Sequence, residues 1–381
     1  MFLLPPRKQG RGRISGNLLP AGSHLRQPTY RLPRTRSARM TATAPNVVCD
    51  ISADPFGERF FRHLSVHKQL LGGSFHFESA SEALLDLVEA AYGDLPPHRL
   101  PVAAPDFRIE LQRVPHRDQP YIIEPPQVRM HSGAGVLCGV IDASNYVVIS
   151  PAQHRALVVA SEDMLDFPYH LRYELIEFAV FILATRGLGL VPLHGACVGR
   201  NGHGLLLLGA SGAGKSTLAL HSLLSGLDFL SEDAVFVQPE TLLATGVANY
   251  VHVKSDALGF IEHDVARQWI GGAPVIRRRS GVEKFEADLR HGHGRIAASP
   301  LKLVGAVFVT SEQAIHPDAL LRCVPKDDIA ARLHADQPYA AGQPGWLHFQ
   351  QKMAQMDVHE LRRWQHPRAS VEALMQLLDR S

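Results

Sequence analysis

Residues 205–220 read LLLLGASGAGKSTLAL, and the rest of the chain is best understood outward from them. Four leucines form a buried-strand pattern, a glycine-rich turn follows, and the apolar spacing of TLALHSLL predicts a helix. The turn, Gly209 to Ser216, satisfies the pattern GxxxxGK[ST] in full. Its glycines permit backbone torsions that side chains disfavour, so successive N–H groups can converge. A helix N-terminus behind them adds partial positive charge, and Lys215 adds a full one. The expected ligand of Gly209, Ser211, Gly212, Ala213, Gly214, Lys215, Ser216 and Thr217 is therefore a nucleotide phosphate chain, with the Ser216 hydroxyl available to Mg²⁺.

Phosphoryl transfer also needs carboxylates, one for the metal and one for the acceptor's proton. Glu232 and Asp233 follow Lys215 by 17 and 18 residues, at the end of the next expected strand. One helix and a return strand bring that corner beside the glycine turn. His194 lies on the preceding strand, in LHGACV, where it reads either as a packed strand residue or as a partner of the acidic pair. The charged run RRRSGVEKFEADLR (277–290) reads either as a solvated loop or as a mobile one delivering Lys284 or an arginine to the phosphoryl group. The neighbouring HGHGR (291–295) has metal-like histidines but no carboxylate or cysteine to complete a set, and is not read as a metal site.

Outward from this centre the chain divides into four. Residues 1–39 hold nine Lys or Arg and no acid, leaving 30 basic against 37 acidic residues elsewhere, a net −7. An acidic body excludes a general nucleic-acid binder. The segment 1–45 is expected to be a disordered basic tail. Two origins stay open for it, an organellar leader or a start codon at Met40. Residues 46–190 read as an α+β region that docks the acceptor, with a helix in 79–95, a strand in 107–114, paired strands in 135–150 and a helix over 169–187. Residues 191–324 read as the phosphate-binding core and 325–381 as a C-terminal helical segment. The longest apolar run, FAVFILA (178–184), is too short to span a membrane. Four scattered cysteines without a CxxC pair argue for a reducing compartment, and the cytoplasm is the expected location.

The order LHGACVGRNGHGLLLLGASGAGKSTLALHSLLSGLDFLSEDAVFV (193–237 with its flanks) resembles the catalytic domain of HPr serine kinase/phosphorylase and its kinase-like relatives. The resemblance implies an α/β fold of the type shared with phosphoenolpyruvate carboxykinases, with a smaller N-terminal α+β region. It implies ATP and Mg²⁺ as cofactors and a hydroxyl acceptor on a seryl peptide, a protein or a small molecule. By position, Glu232 falls where the family has its acceptor base, Asp233 at the metal-binding acid with Ser216, and His194 at the family histidine. It allows a homo-oligomer without fixing a subunit number. Two departures stand out: Glu232 replaces an Asp, and VHVKSDALGF (251–260) puts His252 where the family's second signature has Glu. These keep two other readings open, a nucleotide switch or ATPase and an ATP-binding module without catalysis.

Overall fold

The computed structural model describes residues 64–101, 105–292 and 294–380. The tail read over residues 1–45 lies outside them. The architecture is mixed α/β, with two large sheets, a small three-stranded sheet and helices packed between and around them. Among the described residues no helix is long and apolar enough to cross a membrane.

The first sheet has seven strands, and its middle is parallel. Gly73–Ser79, Asp106–Val114 and Arg155–Ser161 run side by side in the same direction. Their alternating inward residues, Phe75, Phe77, Phe107, Ile109 and Val158, are fully buried. The helix Glu82–Tyr92 covers them through Leu84, Val88 and Tyr92. The paired strands expected in 135–150 are Val136–Val140 and Tyr146–Ser150, antiparallel across the turn at Asp142–Asn145. The long helix expected over 169–187 runs from Pro168 to Gly187, but its turn Leu171–Ile176 is a π-helix. An extra residue in that turn brings Arg172, Tyr173 and Glu177 toward the small three-stranded sheet, where straight α-helical phasing would spread them.

The second sheet carries the glycine turn. His203–Leu208 lies between Ala196–Arg200, antiparallel, and the 13-residue strand Leu301–Gln313, parallel. The stretch read as one strand over 191–199 is two, Val191–His194 and Ala196–Arg200, which pair with different neighbours on either side of Gly195. The segment 325–381 is mostly helical, yet Asp357–Arg363 is a strand lying parallel to Leu301–Gln313 in this sheet. Leu207, Val307, Leu218, Ala219 and Leu374 fill the core beneath the helix Lys215–Leu224.

Several polar contacts join the two sheets' territories. Arg290 donates to the carbonyls of Ala90 (2.9 Å) and Gly93 (3.1 Å) at the C-terminal end of the helix Glu82–Tyr92. That end has no basic residue of its own, so a cation from the second territory meets its negative dipole. Asn249 donates to Ala91 O (2.9 Å), and buried His98 bonds Thr245 Oγ1 (2.8 Å) and Ala297 O (3.0 Å).

The glycine turn is sterically fixed at its first residue. Gly209 has φ +125°, and a Cβ there would sit 2.3 Å from the Val309 carbonyl oxygen, whereas a Cβ on Gly212 (φ +82°) would meet open space. Gly209→Ala is expected to cost about 3 kcal/mol in urea unfolding and Gly212→Ala only about 1 kcal/mol. Equal losses in the two variants would contradict this account.

Candidate functional site

The helix Lys215–Leu224 begins without a side-chain cap, Gly214 at its N-cap having φ +110°. Its first N–H groups therefore have no intrahelical partner and face the concavity of the turn. The Lys215 ammonium lies in that concavity on the carbonyls of Gly209 (2.5 Å) and Ala210 (3.3 Å), and burial lowers its pKa. Neutral carbonyls are weak partners for a buried cation. An oxyanion bridging the free amides and the ammonium is the ligand this cradle fits. Ser211 stands exposed at the apex, and Ser216 and Thr217 are half-buried on the helix's first turn.

The turn is held from behind by residues distant in sequence. Arg363 donates to Gly212 O (2.6 Å) and Ala213 O (3.2 Å), which pulls the carbonyls outward and leaves the amides inward. Asp336 accepts from Gly209 N at 3.4 Å and from Gln337 Nε2 at 2.7 Å. Gln337 in turn brackets His194, accepting from its N–H (2.8 Å) and donating to its carbonyl (2.9 Å).

The corner between Asp228–Ser231 and Ala234–Gln238 sends its two acids in different directions. Asp233 is partly exposed at 31% and meets His194 Nδ1 at 3.4 Å and Arg278 Nη1 at 3.1 Å. Burial works against its charge, but Arg278 and then His194 outweigh it and hold its pKa well below the usual carboxylate range. Glu232 is buried at 4%, with Oε1 3.0 Å from His252 Nδ1 and 3.9 Å from Arg278. Its other oxygen, Oε2, has no hydrogen-bond partner among the described residues. Lys284, whose pKa burial lowers, lies within electrostatic reach of Glu232 and Asp233. Lys215 likewise senses Asp336 and Asp233. The structure thus gathers His194, Lys215, Glu232, Asp233 and Lys284 around one corner.

Beyond Glu232 the charges continue inward. His252 Nε2 meets Tyr173 Oη at 3.0 Å and Glu286 Oε1 at 3.4 Å, and Glu286 forms an ion pair with buried Arg172. Burial lowers the pKa of His252, but hydrogen bonds from its ring to Glu232 and Glu286 raise it above the ordinary value. For Glu286, burial is overcome by Arg172 and then His252, and the pKa falls to about 2. A cavity of about 40 Å³ opens onto this corner, lined by Tyr169, Tyr173 and Phe181 from one side and by Glu232, Asp233 and Arg278 from the other. That is room for a few water molecules, or for a small polar group inserted from a larger ligand.

No protein-family model matches the chain, and no curated protein matches it. Among solved structures it is similar to the HPr(Ser) kinase/phosphatase from Coxiella burnetii. That match has 13% sequence identity and a TM-score of 0.25, over 50% of this chain and 93% of the other. The likeness is distant. Nothing about activity follows from it.

Sequence reasoning named the turn, the acidic pair, His194 and Lys284. It missed Arg363, Asp336 and Gln337, which reach the site through a long excursion with no motif of their own. It also missed Arg172, Tyr173 and Glu286, while Arg278 was covered only by the mention of an arginine in the charged run. Among the described residues no group of three or more His, Cys, Asp or Glu is arranged to hold a metal ion. Oxygen groups near the turn are the Ser216 hydroxyl and the carboxylates of Asp336, which accepts from Gly209 N, and Asp233, which Arg278 and His194 hold. Mg²⁺ takes few protein oxygens at such sites and usually completes its shell with phosphate and water oxygens.

The depressed pKa of Glu286 makes a signed statement about stability. Its folded value lies below its unfolded one, so its contribution is present above about pH 4.5 and is lost as pH falls toward 2. Urea unfolding between pH 5 and pH 2 should show wild type losing about 3 kcal/mol through this group. Glu286→Gln should be less stable at pH 5 and show a correspondingly flatter pH slope. A slope unchanged by the substitution would contradict the assignment.

Proposed function

We propose that the protein is an ATP- and Mg²⁺-dependent kinase of the HPr-kinase-like type, with a P-loop at Gly209–Thr217, acting on a hydroxyl acceptor. The observation that carries this reading is an uncapped, glycine-framed helix N-terminus whose buried Lys215 lies within electrostatic reach of Asp336 and Asp233, the latter next to the buried Glu232. A phosphate cradle alone would suit any nucleotide binder. A buried Glu232 with an unpartnered carboxylate oxygen, lining a cavity together with the partly exposed Asp233, suits transfer to an acceptor.

In this reading Lys215 leaves the carbonyls of Gly209 and Ala210 for the phosphate oxygens, and the amides of the helix's first turn hold the rest. Ser216 and Asp233 would hold the metal, which would supply charge neutralisation on the phosphates. Glu232 takes the proton of the acceptor hydroxyl at Oε2, the oxygen left without a partner. Arg278 and Lys284 offset negative charge at the corner, and His194 orients Asp233. The acceptor hydroxyl belongs either to a seryl side chain of a peptide or protein, or to a small molecule. The region around Tyr169, Tyr173 and Phe181 contacts it.

The test follows γ-labelled phosphate by mass in the full chain, with and without a nucleotide-depleted lysate. Label should appear on an alcohol oxygen of a peptide or metabolite. Lys215→Ala should abolish ATP binding and transfer together. Glu232→Gln should keep ATP affinity and lose about 10²–10⁴ in transfer rate. Free phosphate as the sole product would establish an ATPase instead, and ATP bound but never consumed would establish a binding module.

A further inference from the structure

The family's second signature has a glutamate where this chain has His252, and the sequence reads that exchange as a loss. The structure gives the histidine a place of its own. His252 is buried at 6%, with Nδ1 3.0 Å from Glu232 Oε1 and Nε2 facing Tyr173 Oη (3.0 Å) and Glu286 Oε1 (3.4 Å). Glu286 is fixed on its far side by Arg172, whose guanidinium also lies 4.5 Å over the rings of Tyr173 and Tyr250. Every member is buried or nearly so, and the π-turn Leu171–Ile176 supplies Arg172 and Tyr173.

We propose that His252 is a positioning residue for Glu232: it holds Oε1 from behind and turns Oε2, the one oxygen without a partner, toward the acceptor hydroxyl. This rests on the proposed role of Glu232 as acceptor base. A buried carboxylate free to rotate would present either oxygen, or swing onto Arg278 3.9 Å away. A hydrogen bond from Nδ1–H leaves one orientation. The groups facing the imidazole are Glu232 and Glu286, Tyr173 and, at longer range, Arg278, Asp233 and Glu177; the two carboxylates that flank the ring raise its pKa above the ordinary value. Because Arg172 and Tyr173 belong to the helix Pro168–Gly187, that helix also becomes part of the machinery that aims the base.

The proton on Nδ1 is tested on the full wild-type chain by ¹⁵N-imidazole NMR at neutral pH, which needs no acceptor. His252 should carry a proton on Nδ1, and Glu286→Gln should lower the pKa of the ring. A ring protonated on Nε2 alone in wild type would overturn the proposal whatever the enzyme does. The effect on transfer is read with His252→Leu, which should lose about 10²-fold in rate with ATP affinity unchanged within twofold. His252→Asn, which keeps a donor near the Nδ1 position, should recover about tenfold of that. In a Glu232→Gln background His252→Leu should add no further loss, because it acts through Glu232. An additive loss, or a fall in ATP affinity matching the fall in rate, would overturn it. If His252→Leu does not fold, His252→Asn is read alone and should lose about tenfold in transfer rate without weakening ATP binding. If Glu232→Gln itself transfers at the wild-type rate while the NMR result holds, the base assignment falls and the buried relay stands.

Discussion

The rest of the structure depends on a buried chain of charged and polar partners. It runs from Arg172 through Glu286, His252 and Glu232 to Arg278, and emerges at Asp233 and His194. Withdrawing ions from water costs several kcal/mol each, and the arginines and carboxylates of this chain survive burial because each touches a partner of opposite sign or a hydrogen-bonding ring. Its two ends differ. At Arg172 it is sealed within the protein, and at Asp233 it is partly open to solvent. Polarity that begins as a packing constraint thus surfaces as an acidic corner beside the glycine turn.

The same chain explains how the first region meets the small three-stranded sheet. Arg172 and Tyr173 come from the helix behind the seven-stranded sheet, whereas Glu286 and His252 come from the three-stranded sheet. Separating them would leave a guanidinium and a carboxylate unpaired. Adjacent arginines reinforce the seam: Arg278 turns to Asp233, while Arg279 makes a two-armed contact to Glu174 at 2.7 and 2.6 Å. The hairpin bearing them therefore cannot shift relative to the acids without also disturbing the first region.

What was legible in the sequence is what is local. Strand, glycine turn and helix over 205–224 follow from apolar runs and φ-tolerant residues within a single stretch, as do the helix Glu82–Tyr92 and the paired strands near 135–150. Illegible features rest on long-range partners. The strand Asp357–Arg363 sits in a segment whose composition favours helix, and only its pairing with Leu301–Gln313 makes it extended. The π-turn adds one residue to a helix that is apolar nearly all round, so the hydrophobic phase barely registers it. Glu286 looked like one more charge in a solvated run, because nothing in RRRSGVEKFEADLR marks which side of its strand faces inward.

His252 shows how an apparent defect in a motif can be a change of partner. A second glutamate at that place, beside Glu232 and Glu286, would bring three carboxylates together with only Arg172 and Arg278 to offset them. A histidine between two acids removes a third carboxylate and faces both with one ring. The exchange also suits the longer side chain at Glu232. One more methylene than an aspartate carries the carboxylate further from the backbone and makes it harder to hold by main-chain contacts alone, so a side chain that grips one of its oxygens has more to do here than it would behind an aspartate. The two departures from the resembling motif are therefore linked by geometry: Glu232 is longer than an aspartate, and His252 grips one of its oxygens.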